Sequence, residues 1–208
     1  MRSVLISDFG GVLTTPLLAG FLAYQEESGV SFEALGTAMG LATEQHGDHP
    51  LFALERGEIT EAEFRDRIHP HLEKGFDLAR LRELYFERIE PNRDMIEFIR
   101  KLRDRGLRAA LLTNNIREWE PLWRAKLPEI DELFELVVDS AFVGLRKPDP
   151  AIYELTLDRL GGVRPEQCVF VDDLDVNCEA ARALGMAAVR FETAAQAIPE
   201  IESALARE

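Results

Sequence analysis

Val4-Leu5-Ile6-Ser7-Asp8-Phe9-Gly10-Gly11-Val12-Leu13-Thr14-Thr15 decides how the rest of the chain is read. A short apolar run ends in a lone carboxylate. Two glycines follow at once, then a second apolar pair and two threonines. The pattern predicts a buried strand that delivers Asp8 into a tight loop, where glycine supplies the backbone freedom. In open parallel α/β sheets the C-terminal strand ends line the ligand crevice, so Asp8 is the first candidate for chemistry.

Beyond Pro16 the character changes. Residues 17–90 carry no strong strand signal and read as amphipathic helices over 17–27, 32–41, 51–56, 61–69 and 78–89. Thr60-Glu61-Ala62-Glu63 has the form of a capping box, so a helix is expected to begin there. A helical block directly after the first strand reads as an insertion between two elements of a sheet. The α/β alternation resumes near Pro91. A helix is expected over 93–105, with Met95, Ile96, Phe98, Ile99 and Leu102 on one face. Strands are expected over 107–112, 136–138, 168–171 and 187–191. Helices are expected over 120–126, 150–160 and 176–184, and from Pro199 onward. Asp149-Pro150 supplies an N-cap and a first-turn proline for the second of these. Strands alternating with helices imply a parallel sheet with helices on both faces. The expected architecture is therefore α/β. Residues 1–15 and 91–208 form a doubly wound, parallel, Rossmann-like core, and residues 16–90 form a helical cap inserted after the first strand.

The chain has 208 residues, with Asp+Glu 38 against Lys+Arg 24 and a formal net charge of −14. That surface repels nucleic acid and anionic membrane, so neither is an expected partner. The two cysteines, Cys168 and Cys178, are too far apart for a CxxC pair and lack a histidine cluster, so reduced structural thiols are expected. There is no signal-peptide pattern after Met1 and no apolar run near ~18 residues, so the expected location is the cytoplasm. No pattern sets an oligomeric state.

Three of the expected strands end in polar groups: Asp8, then Thr113-Asn114, then Asp172-Asp173. Parallel strands point the same way, so these groups converge at one edge. Three carboxylates brought together repel one another unless a cation sits among them, and hard oxygen donors of this kind suit Mg2+. Lys147, in Gly144-Leu145-Arg146-Lys147-Pro148-Asp149-Pro150, can hold a carboxylate in place and neutralise a phosphoryl group. Thr113 and Asn114 offer neutral donors for phosphate oxygens. Carboxylate, metal, lysine and hydroxyl together describe phosphoryl transfer through an aspartyl-phosphate.

Asp8-Phe9-Gly10-Gly11-Val12-Leu13-Thr14, Leu112-Thr113-Asn114-Asn115, Arg146-Lys147-Pro148-Asp149-Pro150 and Val171-Asp172-Asp173-Leu174-Asp175-Val176-Asn177 resemble, in order, the four motifs of the haloacid dehalogenase-like hydrolases. The inserted helices resemble the small cap of that superfamily's first subfamily. Leu54-Glu55-Arg56-Gly57-Glu58-Ile59-Thr60 is similar to bacterial sugar-phosphate phosphatases and to the phosphatase domain of bifunctional epoxide hydrolases. The resemblance implies a Mg2+-dependent phosphatase acting on a small phosphate ester such as a sugar phosphate. Asp8 is then the nucleophile, Thr113 and Asn114 bind the phosphoryl group, and Lys147 orients Asp8. Asp8, the Gly10 carbonyl, Asp172 and Asp173 hold the metal, with Asn177 supporting them.

One position departs from the pattern. The family's first motif has a second Asp that serves as general acid and base, and here it is Gly10. Glycine keeps the carbonyl but loses a proton-transfer group typically worth about 10²–10⁴ in rate. Glu44, His46, Asp48 and His49 are candidate substitutes, although their plain reading is a solvated polar loop. Three other readings stay open. A dehalogenase also lacks the second Asp, but the Asp172-Asp173 pair has no purpose there. A phosphonoacetaldehyde hydrolase needs a cap lysine, for which Lys74 is the available residue. A binding protein would keep fold and metal without turnover.

Overall fold

A computed structural model of the chain describes residues 2–73 and 75–206. Lys74 lies outside the described residues. Five parallel strands form one sheet: β1 (Val4–Ser7), β2 (Arg108–Thr113), β3 (Leu136–Asp139), β4 (Cys168–Asp172) and β5 (Ala187–Arg190). Their order is β3-β2-β1-β4-β5. Val4 pairs with Arg108 on one side and Cys168 on the other, so β1 is the central strand. Its residues are fully buried, as expected of a parallel strand covered on both faces. The two-residue strand period divides them between layers. Leu5 joins Leu111, Val169, Met95 and Ile99 on one face. Val4 and Ile6 join Leu112, Phe170, Tyr153 and Cys178 on the other. The doubly wound expectation follows directly from that split.

Five helices make up the insertion after β1: α1 (Leu17–Ser28), α2 (Phe32–His46), α3 (Pro50–Glu55), α4 (Glu61–Ile68) and α5 (Leu78–Arg88). Thr60 caps α4 by the capping box its sequence forecasts. The helices close over an aromatic centre in which Tyr24 and Phe64 both pack edge-on to Phe76, at 5.2 and 6.3 Å. The insertion enters and leaves the sheet by two connections running side by side. Thr15 N–H donates to Glu90 O at 3.1 Å, and Glu90 N–H donates back to the Thr15 hydroxyl at 3.0 Å.

The remaining helices are α6 (Arg93–Asp104), α7 (Glu120–Lys126), α8 (Ile130–Leu133), α9 (Ser140–Val143), α10 (Pro150–Arg159), α11 (Asp175–Ala183) and α12 (Ala194–Ala206). Three differ from expectation. The single turns α8 and α9 are too short to show a periodicity. The last helix begins at Ala194 rather than Pro199, because the Thr193 hydroxyl accepts the Gln196 N–H and starts it five residues early. Pro199 therefore lies inside α12. Likewise α2 continues past Leu41 to His46, which places Glu44 and His46 on an exposed last turn rather than in a loop.

Asp139, at the end of β3, holds a buried charge with no full partner set. Its Oδ1 accepts the Ala141 N–H at 3.0 Å and caps α9, while Oδ2 is buried without a hydrogen bond. Burial pushes its carboxyl up to about 6, with the Ala141 N–H opposing. A folded pKa above the unfolded one favours folding below about pH 4, and that contribution is lost as pH rises through about 6. Asp139→Asn is therefore expected to be more stable than the parent by roughly 1–3 kcal/mol at pH 8 and no different near pH 4. Thermal unfolding across that range checks it, and a pH-independent gap would contradict it.

Candidate active site

The central strands bring their polar ends together. The Asp8 N–H donates to Val171 O at 2.9 Å, which fixes Asp8 beside the end of β4. Lys147 reaches in from the loop before α10. It is 1% exposed, and its ammonium lies 2.8 Å from Asp8 Oδ1 and 2.6 Å from Asp172 Oδ2. Carboxylate oxygens of Asp8, Asp172 and Asp173 all lie within 4.8 Å of one another. The Asp172 carboxylate is held rigidly, since its Oδ1 accepts from the Leu174 N–H and from Asn177 Nδ2, both at 2.9 Å. Asn177 is fixed in turn by the Tyr153 hydroxyl, which donates to its carbonyl at 3.0 Å.

Charge is out of balance here. Burial pushes the Asp8 carboxyl up to about 7, with Lys147 pulling down and Asp172 and Asp173 adding to the rise. Burial and Asp172 raise Asp173 too. Burial would lower Lys147, but Asp172 and Asp8 outweigh it and hold the ammonium above the ordinary lysine range. Among the described residues, three carboxylates converge around one buried ammonium, which touches Asp8 and Asp172. A second cation with hard oxygen ligands resolves the imbalance, and the donor set present fits Mg2+.

Removing Lys147 exposes the size of this effect. Lys147→Met leaves Asp8 and Asp172 facing each other in a buried site. The loss expected at pH 8 without metal is about 3–5 kcal/mol. Urea unfolding of the two proteins measures it, and an unchanged midpoint would show that the ammonium contributes nothing to the fold.

The adjacent glycines differ in kind. Gly11 has φ 80°, and a Cβ there would sit 2.3 Å from Asp173 Oδ2, so both backbone and space require glycine. Gly10 has no positive φ, and a Cβ on it would meet no atom within 4 Å. Nothing in the fold demands glycine at position 10.

The other expected residues are also here, one of them with a further use. Thr113 is buried at the end of β2, and its hydroxyl makes only a long 3.4 Å contact to Asn114 O, so it is nearly uncommitted. The Asn114 amide, expected to donate to a phosphate oxygen, also clamps the Lys147 main chain. Its Nδ2 donates to Lys147 O at 2.9 Å and its Oδ1 accepts the Lys147 N–H at 2.8 Å. An Asn side chain matches an extended peptide group on both edges, and Lys147 has to be held this firmly to reach two carboxylates. The proposed acid–base substitutes do not join the cluster. Glu44 and His46 are exposed, Asp48 is paired with Arg56, and His49 stacks on Phe52 at 4.1 Å.

Two elements of the insertion that the sequence reading passed over do reach the site. The Tyr85 phenol of α5 is buried beside this site, and burial together with Asp8 and Asp173 pushes it up to about 12. Glu55, at the end of α3, pairs with Arg146 at 2.7 Å, one residue before Lys147. Ser140 ties this corner together by donating to Glu55 O at 2.6 Å and accepting the Asn115 N–H at 3.0 Å. Tyr85 lies in an apolar helical pattern and reads as core, while Glu55 was visible only as part of the Leu54–Thr60 phrase.

With this geometry the chain can be placed among known proteins. Residues 3–185 match the family model of haloacid dehalogenase-like hydrolases, and the chain belongs to that family. It is 26% identical over 210 residues to bifunctional epoxide hydrolase 2 of Rattus norvegicus, covering 94% of this chain and 37% of the rat protein. It thus spans well under half the length of the first curated relatives it matches. A sesquiterpene phosphatase of Aspergillus oryzae is 28% identical over 191 residues, covering 87% of this chain and 85% of that protein. A HAD family enzyme of Bacteroides thetaiotaomicron, solved in complex with magnesium and inorganic phosphate, superposes with a TM-score of 0.70. It is 23% identical, over 92% of this chain and 95% of that one. Among the described residues, no helix is long and apolar enough to cross a membrane.

Proposed function

We propose that this chain is a Mg2+-dependent phosphatase that hydrolyses a phosphomonoester through an aspartyl-phosphate on Asp8. The observation that carries the reading is the buried Lys147 ammonium, shared between Asp8 and Asp172. That contact ties down Oδ1 of Asp8 and leaves Oδ2 as the attacking oxygen. Asp8 Oδ2 forms a bond to phosphorus while the bond to the ester oxygen breaks. Lys147 keeps the nucleophile ionised and aimed, and with the Thr113 hydroxyl it faces the charge on the phosphoryl oxygens. Asn114 positions Lys147, and Asn177 positions Asp172. Asp8, Asp172, Asp173 and the Gly10 carbonyl would hold Mg2+, which supplies the positive charge that lets a phosphate dianion approach three carboxylates. The departing ester oxygen takes up a proton from water, and a water oxygen then bonds to phosphorus while the Asp8 Oδ2–P bond breaks, releasing phosphate and restoring the Asp8 carboxylate.

The acidic cluster also bears on the rivals. A dehalogenase displaces halide at carbon and has no use for three converging carboxylates. The names of the relatives point to phosphate esters in one case and to a bifunctional hydrolase in the other, and phosphate monoesters are the class proposed here. The test is hydrolysis of p-nitrophenyl phosphate with Mg2+ and after EDTA, combined with mass-spectrometric capture of the phosphorylated peptide containing Asp8. Loss of turnover in EDTA, its return with Mg2+, and a phosphoryl group on Asp8 are expected. Turnover that ignores EDTA, or label on another residue, would overturn the mechanism.

A further inference from the structure

The helical insertion is not solid. It encloses a cavity of about 270 Å³, walled by Leu35, Met39, Phe64 and Phe76 from the insertion and by Ile116 and Trp119 from the loop after β2. The space has room for about nine water-sized groups at ~30 Å³ each. It is also dry in character. The polar atom among its lining side chains, Trp119 Nε1, is already spent on Glu61 Oε1 at 2.5 Å. Among the described residues that line it, no donor or acceptor side chain is left to satisfy a sugar hydroxyl, and burying one unpaired is unfavourable.

The cavity opens and it lies close to the chemistry. Leu17, Leu18 and Phe32, at its rim, are 44%, 53% and 47% exposed, an unusual disposition for three large apolar residues lining one void. Leu17 is three residues beyond Thr14, and Ile116 is three residues beyond Thr113. Three residues of chain span at most about 11 Å. Apolar wall therefore begins within that reach of the Gly10–Thr14 turn on one side and of the Thr113 hydroxyl on the other.

We infer that this cavity receives the apolar tail of the substrate, so that the phosphate ester is an alkyl or isoprenoid monophosphate with a chain of roughly eight to ten carbons, rather than a sugar phosphate. The inference rests on the phosphatase reading and adds the organic half of the ester to it. Phosphate sits against Asp8, Lys147 and Thr113, and the chain runs past Leu17 and Ile116 toward Phe64 and Phe76. Transfer of the phosphoryl group to Asp8 leaves an apolar alcohol, whose oxygen must vacate the face opposite Asp8 before water can attack phosphorus.

A series of n-alkyl monophosphates from C2 to C12 tests this on the full chain with Mg2+. The expected result is a rise in kcat/KM of about fourfold per added methylene, levelling off once the cavity is full near C8–C10. A series that is flat or falling with chain length would overturn the inference. Met39→Trp, which fills the void, should lower the decyl-to-ethyl ratio at least tenfold, and the ratio is the readout because it is independent of the amount of folded protein. Binding of 1-decanol, followed by Trp119 fluorescence and by thermal shift, judges the cavity without any phosphate chemistry. Saturable decanol binding in a protein that hydrolyses no phosphate ester would sustain the cavity and sink the phosphatase. Absence of decanol binding would sink the cavity whatever the protein hydrolyses.

Discussion

Asp8→Asn is expected to lose activity by about 10⁴–10⁶-fold, the order seen when a nucleophile is removed from a working site, and yet to unfold at a higher temperature than the metal-free parent at pH 8. Both effects come from one carboxylate. Asn cannot form the phosphoryl ester, and no neighbouring group stands where Asp8 does, at the end of β1 and 2.8 Å from Lys147. Stability moves the other way because the folded protein holds Asp8 against its preference. Burial and the nearby Asp172 and Asp173 push its carboxyl up to about 7, so an ionised Asp8 is a burden to the metal-free fold. A neutral amide relieves the repulsion, and Lys147 keeps Asp172 at 2.6 Å. Added Mg2+ should reverse the order, raising the melting temperature of the parent more than that of the variant. Thermal scans of both proteins with EDTA and with Mg2+, beside a turnover assay, check this. A variant less stable than the parent in EDTA would mean that Asp8 is principally a structural ion-pair partner.

The second large effect belongs to Gly10→Asp. General acid–base help is worth about 10²–10⁴, and a carboxyl restored at this position is expected to raise turnover of alkyl phosphates by a factor in that range. Turnover of p-nitrophenyl phosphate should change less than tenfold, since p-nitrophenolate leaves without a proton. The difference between the two substrates separates acid catalysis from a general gain in folding or metal binding. The substitution is structurally quiet, because a Cβ on Gly10 meets no atom within 4 Å and the backbone there needs no positive φ. Equal rates on both substrates before and after the change would show that another group, with the buried Tyr85 phenol the first to examine, already supplies the proton.

Much of this molecule is written in local pattern. The strand through Val4, Leu5 and Ile6 is an unbroken apolar run because both of its faces are covered, and the polar residue that ends it had to lie at the sheet edge. The same logic placed Thr113, Asp172 and Asp173, so the converging edge was legible before any coordinate. What sequence hides is how a side chain is used once it arrives. Asn114 looks like a phosphate donor, but one N–H and the carbonyl of its amide hold the Lys147 main chain, a contact set by the fold across 33 residues. Boundaries failed where local signals misled. Gly36 and Gly40 weaken the helical signal of α2, which nevertheless runs to His46 under tertiary packing. Pro199 looks like a helix start, although the cap is Thr193. The cavity was invisible for a deeper reason. A helix lining a void and a helix packed solid present the same apolar periodicity, and the missing volume belongs to no residue.

The two neighbouring glycines stand under different constraints. At position 11 an aspartate would drive a side chain into Asp173 and force the backbone out of its turn. At position 10 the same change meets open space. The same substitution therefore has opposite consequences at two adjacent positions: the fold accepts a carboxylate at 10 and refuses one at 11.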